Sequence, residues 1–205
     1  MAYMGTGEDD FSSLKDALAG KISPEEKAAS LRLAAGPMRR YFRLHLATAV
    51  LGVFMLGSFV GWLALGGNVL RIAAIAAGIA TVVAMIGTYV SVRGLAPYSN
   101  NFDRVFANIL RGRYIVLIFY YMCDGFRDIA RENRDEELAA RWNSRIFAPG
   151  IVLTVICVGF LILTALTVSK QALCLCTGVA SVLCLITREF RYLSSVILTI
   201  KSLEK

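Results

Sequence analysis

The stretch RGRYIVLIFYYMCDGFRD, residues 111–128, decides how this chain is read. Tyr114 to Cys123 is an unbroken apolar run with arginines before it and alternating charges after it. Whether it crosses a bilayer fixes the number of spans and which charges share a compartment. As a helix the run extends about 15 Å, half of a hydrocarbon core of about 30 Å. As an extended strand it would be long enough, but a lone strand in lipid leaves its backbone N–H and C=O groups unpaired. The run is therefore expected to stay on one side, buried against the rest of the protein or lying at the interface.

The spans lie elsewhere. With 57% hydrophobic and only 18% charged residues, a chain of 205 residues has more apolar surface than a water-soluble domain of that size can hide. Four long segments are free of charge: Leu46–Leu65, Ile72–Val92, Ile146–Val168 and Gln171–Thr187. Only GGNVLR separates the first two and only SK the last two, and linkers that short bring antiparallel neighbours together. Of the 22 Lys and Arg residues, two (Arg71 and Lys170) fall in these turns and the rest fall in the N-terminal, middle and C-terminal segments. That asymmetry places both chain ends and the middle region in the cytoplasm. Letting Tyr114–Cys123 cross would move Arg127, Arg131, Arg134, Arg141 and Arg145 to the far side, against it.

The expected fold class is an all-α integral membrane protein with four transmembrane helices as two antiparallel hairpins, N- and C-termini cytoplasmic, and amphipathic cytoplasmic helices. Residues 1–45 form cytoplasmic N-terminal helices and a basic, aromatic juxtamembrane anchor. Residues 46–92 form the first hairpin, 93–145 an arginine-rich cytoplasmic or interfacial helical region, 146–187 the second hairpin, and 188–205 an amphipathic C-terminal helix. Two short helices are expected upstream, in DDFSSLKDALAG and in SPEEKAASLRLAAGP, the latter with Ser23 as N-cap and Pro24 at its first position. MRRYFRLH then sets Arg39, Arg40 and Arg43 beside Tyr41 and Phe42, the pattern of an anchor at the headgroup level in contact with lipid.

In the middle region, NNFDRVFANILRG carries a helical stripe of Phe102, Val105, Phe106, Ile109 and Leu110. DGFRDIARENRDEELAARWNSRIF reads as one charged helix, with Arg131–Asp135 and Glu137–Arg141 spaced to pair. After the fourth span, Phe190, Leu193, Val196, Ile197 and Ile200 follow a helical stripe that predicts continuation of that span into the cytoplasm. Phe126, Ile129, Arg131, Trp142, Phe190, Leu193 and Ile197 are the candidate partner surface.

The charge-free spans hold none of the Asp, Glu, Lys, Arg or His that mark intramembrane chemistry. His45, the only histidine, sits at the mouth of the first span as a headgroup-level residue. There is no triad pattern, zinc-protease signature or Gly-rich phosphate loop. Cys123, Cys157, Cys174, Cys176 and Cys184 all lie in or beside apolar runs, which makes them small core residues rather than a disulfide framework. Cys174 and Cys176 point about 200° apart on a helix and cannot grip one metal ion. No apolar signal-peptide core is visible near Glu8, Asp9 and Asp10, so the first span is expected to serve as the insertion signal.

Small residues favour close helix packing: Gly57 and Gly61 one turn apart, and Ala73, Ala77, Ala80, Ala84 and Gly87 along the second span. These observations point to a non-catalytic multi-pass membrane subunit that scaffolds or assembles a larger membrane complex, for example a secretion or transport machine. The alternative is a homo-oligomeric pore or permeability protein lined by Thr81, Thr88, Ser91 and Ser58. A third reading is a lipid- or substrate-handling enzyme using Arg111 and Arg113. No catalytic, cofactor or metal residue is expected. The expected partners are membrane lipids and other membrane-complex subunits or further copies of the chain, not nucleic acid, whose basic footprint would not be interleaved with acids. The expected site is a bacterial inner membrane, with an organellar membrane as the other candidate.

Overall fold

The computed structural model describes residues 31–110 and 115–204, with backbone only for residues 106, 109, 110, 115–117 and 143–145. The two helices expected upstream of residue 31, and Arg111 and Arg113, lie outside the described residues. Every regular element among the described residues is helical. In chain order these are α1 (Ala35–Leu65), α2 (Asn68–Val92), α3 (Asn100–Leu110), α4 (Ile115–Glu132), α5 (Glu136–Arg141), α6 (Ala148–Leu166) and α7 (Gln171–Leu203). A 3-10 turn, Arg93–Tyr98, follows α2, and a π-helical turn, Trp142–Phe147, precedes α6.

Among the described residues four helices, those built on α1, α2, α6 and α7, are long and apolar enough to cross a membrane, which is compatible with an integral membrane protein. The run Tyr114–Cys123 is not among them. Its described part, residues 115–123, lies in α4, which continues to Glu132 and carries Asp124, Arg127, Asp128 and Arg131 in its second half. Ile118, Met122, Cys123, Phe126, Ile129 and Ala130 of α4 are buried, a helical stripe facing the protein.

Gly66 and Gly67 join α1 to α2 with φ of 72° and 95°, the left-handed region that glycine enters without a Cβ penalty. The Gly66 N–H closes α1 by donating to the Trp62 carbonyl at 2.9 Å. Along the two helices, rising positions on one meet falling positions on the other. Leu44 packs at Gly87, Gly52 faces Thr81, Met55 packs at Gly78, and Gly61 faces Leu70. The Thr48 and Thr88 hydroxyls bond each other at 3.0 Å. On the other pair, Thr164 donates to Thr177 at 2.9 Å, and Ser181 donates to the Cys157 carbonyl at 3.0 Å.

α7 also packs along α1. Val60 lies against Gly178, His45 meets Glu189, and Tyr41 meets Tyr192. The closest of these approaches is at Gly178, where a Cβ would sit 2.1 Å from Val60 Cγ1. Inside lipid, dispersion contacts and hydrogen bonds rather than the hydrophobic effect hold such helices together.

Beyond the charge-free stretches the chain builds a second, denser layer. Met38 and Tyr41 of α1, Phe102 and Val105 of α3, the buried face of α4, Leu138 of α5, Trp142, and Tyr192, Val196, Ile200 and Leu203 of α7 form one core. Phe126 stacks on Trp142 with ring centres 4.9 Å apart, and Phe102 meets Phe126 edge-on at 5.3 Å. Burying each such side chain contributes roughly 1.5–3 kcal/mol where the alternative is water. Gly125 lets the Phe102 ring approach, since a Cβ there would lie 2.7 Å from Phe102 Cζ.

The charged stretch expected as one helix is broken. α4 ends at Glu132, Arg134 takes a left-handed φ of 59°, and Asp135 caps α5 by accepting from the Leu138 N–H at 3.0 Å. The other Asp135 oxygen accepts from Ser202 Oγ at 2.9 Å, so Asp135 is engaged by the cap and α7 rather than by Arg131. Asn133 secures the break by donating to the Ser202 carbonyl at 2.9 Å. The π-helical turn leads directly into α6, and Pro149, which has no N–H to give to the preceding turn, sits just after this departure from regular α-helix.

Candidate functional site

Where α1, α2, α4 and α7 leave the charge-free stretches they enclose a cavity of about 430 Å³. His45 and Thr48 reach it from α1, and Met85 and Tyr89 from α2. Phe119 and Met122 close it from α4, with Arg188 and Glu189 on α7. The aromatic floor is set by Tyr41 and Tyr192, whose hydroxyls bond at 2.7 Å although both residues are buried. Trp142 donates its indole N–H to Thr199 Oγ1 at 3.0 Å, and so holds α7 in register with the turn before α6.

The polar side of the cavity is a chain of three residues. His45 Nε2 and Glu189 Oε2 lie 3.0 Å apart, and Arg188 Nη1 donates to Glu189 Oε1 at 3.2 Å. Both carboxylate oxygens are thereby engaged. The Arg188 guanidinium lies over the Phe119 ring at 5.1 Å, a cation–π contact, and its Nε is buried without a hydrogen-bond acceptor. An unmet buried donor of this kind costs about 1–3 kcal/mol. Tyr41 stacks on the His45 ring at 5.6 Å, which fixes the imidazole plane. Cys123 lies nearby in α4. Burial pushes its thiol well above the usual range and the Arg188 charge opposes this only in part, so it stays a neutral thiol rather than a nucleophile.

A second polar cluster ties α4 to the start of α3 and to Ser99 just before it. Asn101 donates to Asp124 at 3.1 Å and to Asp128 at 2.8 Å, and Ser99 donates to Asp128 at 2.7 Å. Among the described residues, no three His, Cys, Asp or Glu side chains converge as a metal site.

The residues singled out in the sequence are distributed as follows. Arg39 pairs with Glu204, Arg40 and Arg43 are exposed, Phe42 is half-buried against the core, and Tyr41 is turned inward. Gly57 faces open space, while Gly61 and Gly87 face side chains across α1 and α2. Ala77 is buried, and Ala73, Ala80 and Ala84 are half-buried. Phe126, Ile129, Trp142 and Leu193 lie in the chain's own core. Phe190 is 72% exposed, and Ile197 and Arg131 also face outward.

Sequence reasoning placed His45 at a mouth but gave it no partner. The missing signal is depth. His45 directly precedes the first charge-free stretch and Glu189 stands two places beyond the last, so antiparallel packing brings them to one level. No protein-family model, curated protein or solved structure matches the chain.

Proposed function

We propose that this chain is a non-catalytic, multi-pass membrane subunit that scaffolds a larger membrane complex, in a bacterial inner membrane. Its four spans form two antiparallel hairpins, with the aromatic core and both chain ends on the cytoplasmic side. The opposed residue pairs along α1 and α2, and the 20 of 22 basic residues outside the turns, support this arrangement.

One observation carries the assembly role: an apolar surface outside the charge-free stretches. Phe190 is 72% exposed, Leu33 71%, and Ile197 and Leu198 add to the exposed surface of the same end. Large apolar side chains presented beyond the lipid-spanning stretch are what an adjoining subunit covers. The span hydroxyls speak against a pore. Ser58, Thr88 and Ser91 are buried within the chain, and Thr81, Thr88 and Ser91 donate to carbonyls of their own helix at 2.7, 2.9 and 2.6 Å, which favours packing over a water path.

Purification in mild detergent from the native host tests the proposal. A co-purifying membrane protein at fixed stoichiometry, lost with Phe190→Asp and Ile197→Asp while the chain stays folded, is the expected result. A lone monomer, or a complex indifferent to both substitutions, refutes it. Ion or solute flux from liposomes containing the chain alone would favour the pore instead.

A further inference from the structure

We infer that the cavity between α1, α2, α4 and α7 holds the headgroup phosphate of one anionic membrane phospholipid against Arg188, with the start of an acyl chain along Met85, Ile118 and Met122. This goes beyond the scaffold reading and does not depend on it.

Position comes first. Arg188 directly follows the charge-free stretch of α7 and His45 directly precedes that of α1, whereas Met85 lies inside that of α2. The cavity therefore straddles the boundary between hydrocarbon and headgroups, where a phospholipid changes from chain to phosphate. Its volume of about 430 Å³ falls within the range of roughly 300–1,000 Å³ typical of small-ligand sites. It suits a headgroup and part of one chain rather than a whole two-chained lipid.

Chemistry agrees with position. Guanidinium groups recognise phosphate through paired, charge-assisted N–H bonds. Arg188 gives one Nη1 proton to Glu189, its Nε is buried, and 26% of its side chain stays accessible, which leaves the outer edge of the guanidinium to meet a phosphate. Glu189 does not repel the ligand as a bare anion would, because His45 and Arg188 engage its two oxygens. The exposed Arg40 and Arg43 on α1 raise the local concentration of anionic lipid at this face. A soluble phosphate would meet the same guanidinium but leave the Met85, Ile118 and Met122 wall without a partner.

Native mass spectrometry of the full-length protein tests the assignment after exchange into phosphatidylglycerol, phosphatidylcholine or soluble glycerol phosphate. One retained phosphatidylglycerol per chain is expected, in preference to the other two probes. Arg188→Gln should weaken that retention about tenfold or more, as loss of a charge-assisted bond requires. Met85→Trp, which fills the wall of the cavity, should displace the lipid, and Lys170→Gln at the distant turn should not. Retention of phosphatidylglycerol at the wild-type level by folded Arg188→Gln or folded Met85→Trp overturns the inference. Equal retention of phosphatidylcholine, or equally tight binding of glycerol phosphate, also overturns it. If Arg188→Gln does not fold, Met85→Trp decides alone.

Discussion

Replacing Gly178 by alanine tests the packing of α1 on α7 at its closest point. The new Cβ would lie 2.1 Å from Val60 Cγ1, 3.0 Å from Cγ2 and 3.1 Å from Cβ. Rotating Val60 about χ1 can move its two methyl groups but not its Cβ, so side-chain rearrangement alone cannot restore ordinary contact. The helices must separate, and overpacking of this kind costs about 1–3 kcal/mol. Val60→Ala alone should be mildly destabilising, by about 1 kcal/mol, because it loses packing rather than shelter from water. Together the two changes make room for each other, and the double variant should fall short of the sum of the singles by about 1–2 kcal/mol. Unfolding in mixed micelles of rising SDS content supplies the free energies. Trp142, fully buried against Phe126, gives a fluorescence signal for loss of the core. Additivity of the three variants within about 0.5 kcal/mol would show that Val60 and Gly178 do not touch and that the contact has been misread.

Three further outcomes are expected. Tyr41→Phe strands the Tyr192 hydroxyl in the core and should cost about 1–3 kcal/mol, whereas Tyr41→Phe with Tyr192→Phe should recover much of it; equal losses in the single and double variants would contradict this. Gly125→Ala drives a methyl into the Phe102 ring and should lower the thermal midpoint, with Phe102→Leu as the compensating change, and an unaltered midpoint for the single variant counts against the described contact. A protease-cleavable tag beside Glu132 should be accessible from the same side of sealed vesicles as one at Met1; opposite sidedness removes the proposed topology.

The class of fold was legible because lipid imposes a length rule that local sequence can satisfy alone. Charge-free stretches long enough to cross announce themselves, and Tyr114–Cys123 falls short of the same rule. The pairings that shape the aromatic layer around Phe126 and Trp142 were much harder to read. An i, i+4 spacing such as Arg131–Asp135 looks the same in a continuous helix and in one interrupted between them. The decisive contacts, Asn133 and Asp135 with Ser202, come from a helix almost seventy positions away. Likewise, glycine spacing drew attention to Gly57, which has open space beside it, while Gly178 carries the tightest approach without any motif around it. Its importance lies in Val60 on another helix. Phe126 and Trp142 were recognisable as one-sided apolar residues, but periodicity alone does not distinguish a face that covers a partner from a face that covers its own chain.

α7 runs unbroken from Gln171 to Leu203, about 50 Å of helix. Its first half stands among charge-free neighbours and its second half is clamped by Tyr41, Trp142 and Asn133. With no hinge between the halves, a tilt of the first half is resisted by those clamps or taken up as bending of the helix. Load applied at the Gln171 end is thus carried along a single rod to the Arg39–Glu204 contact near its other end.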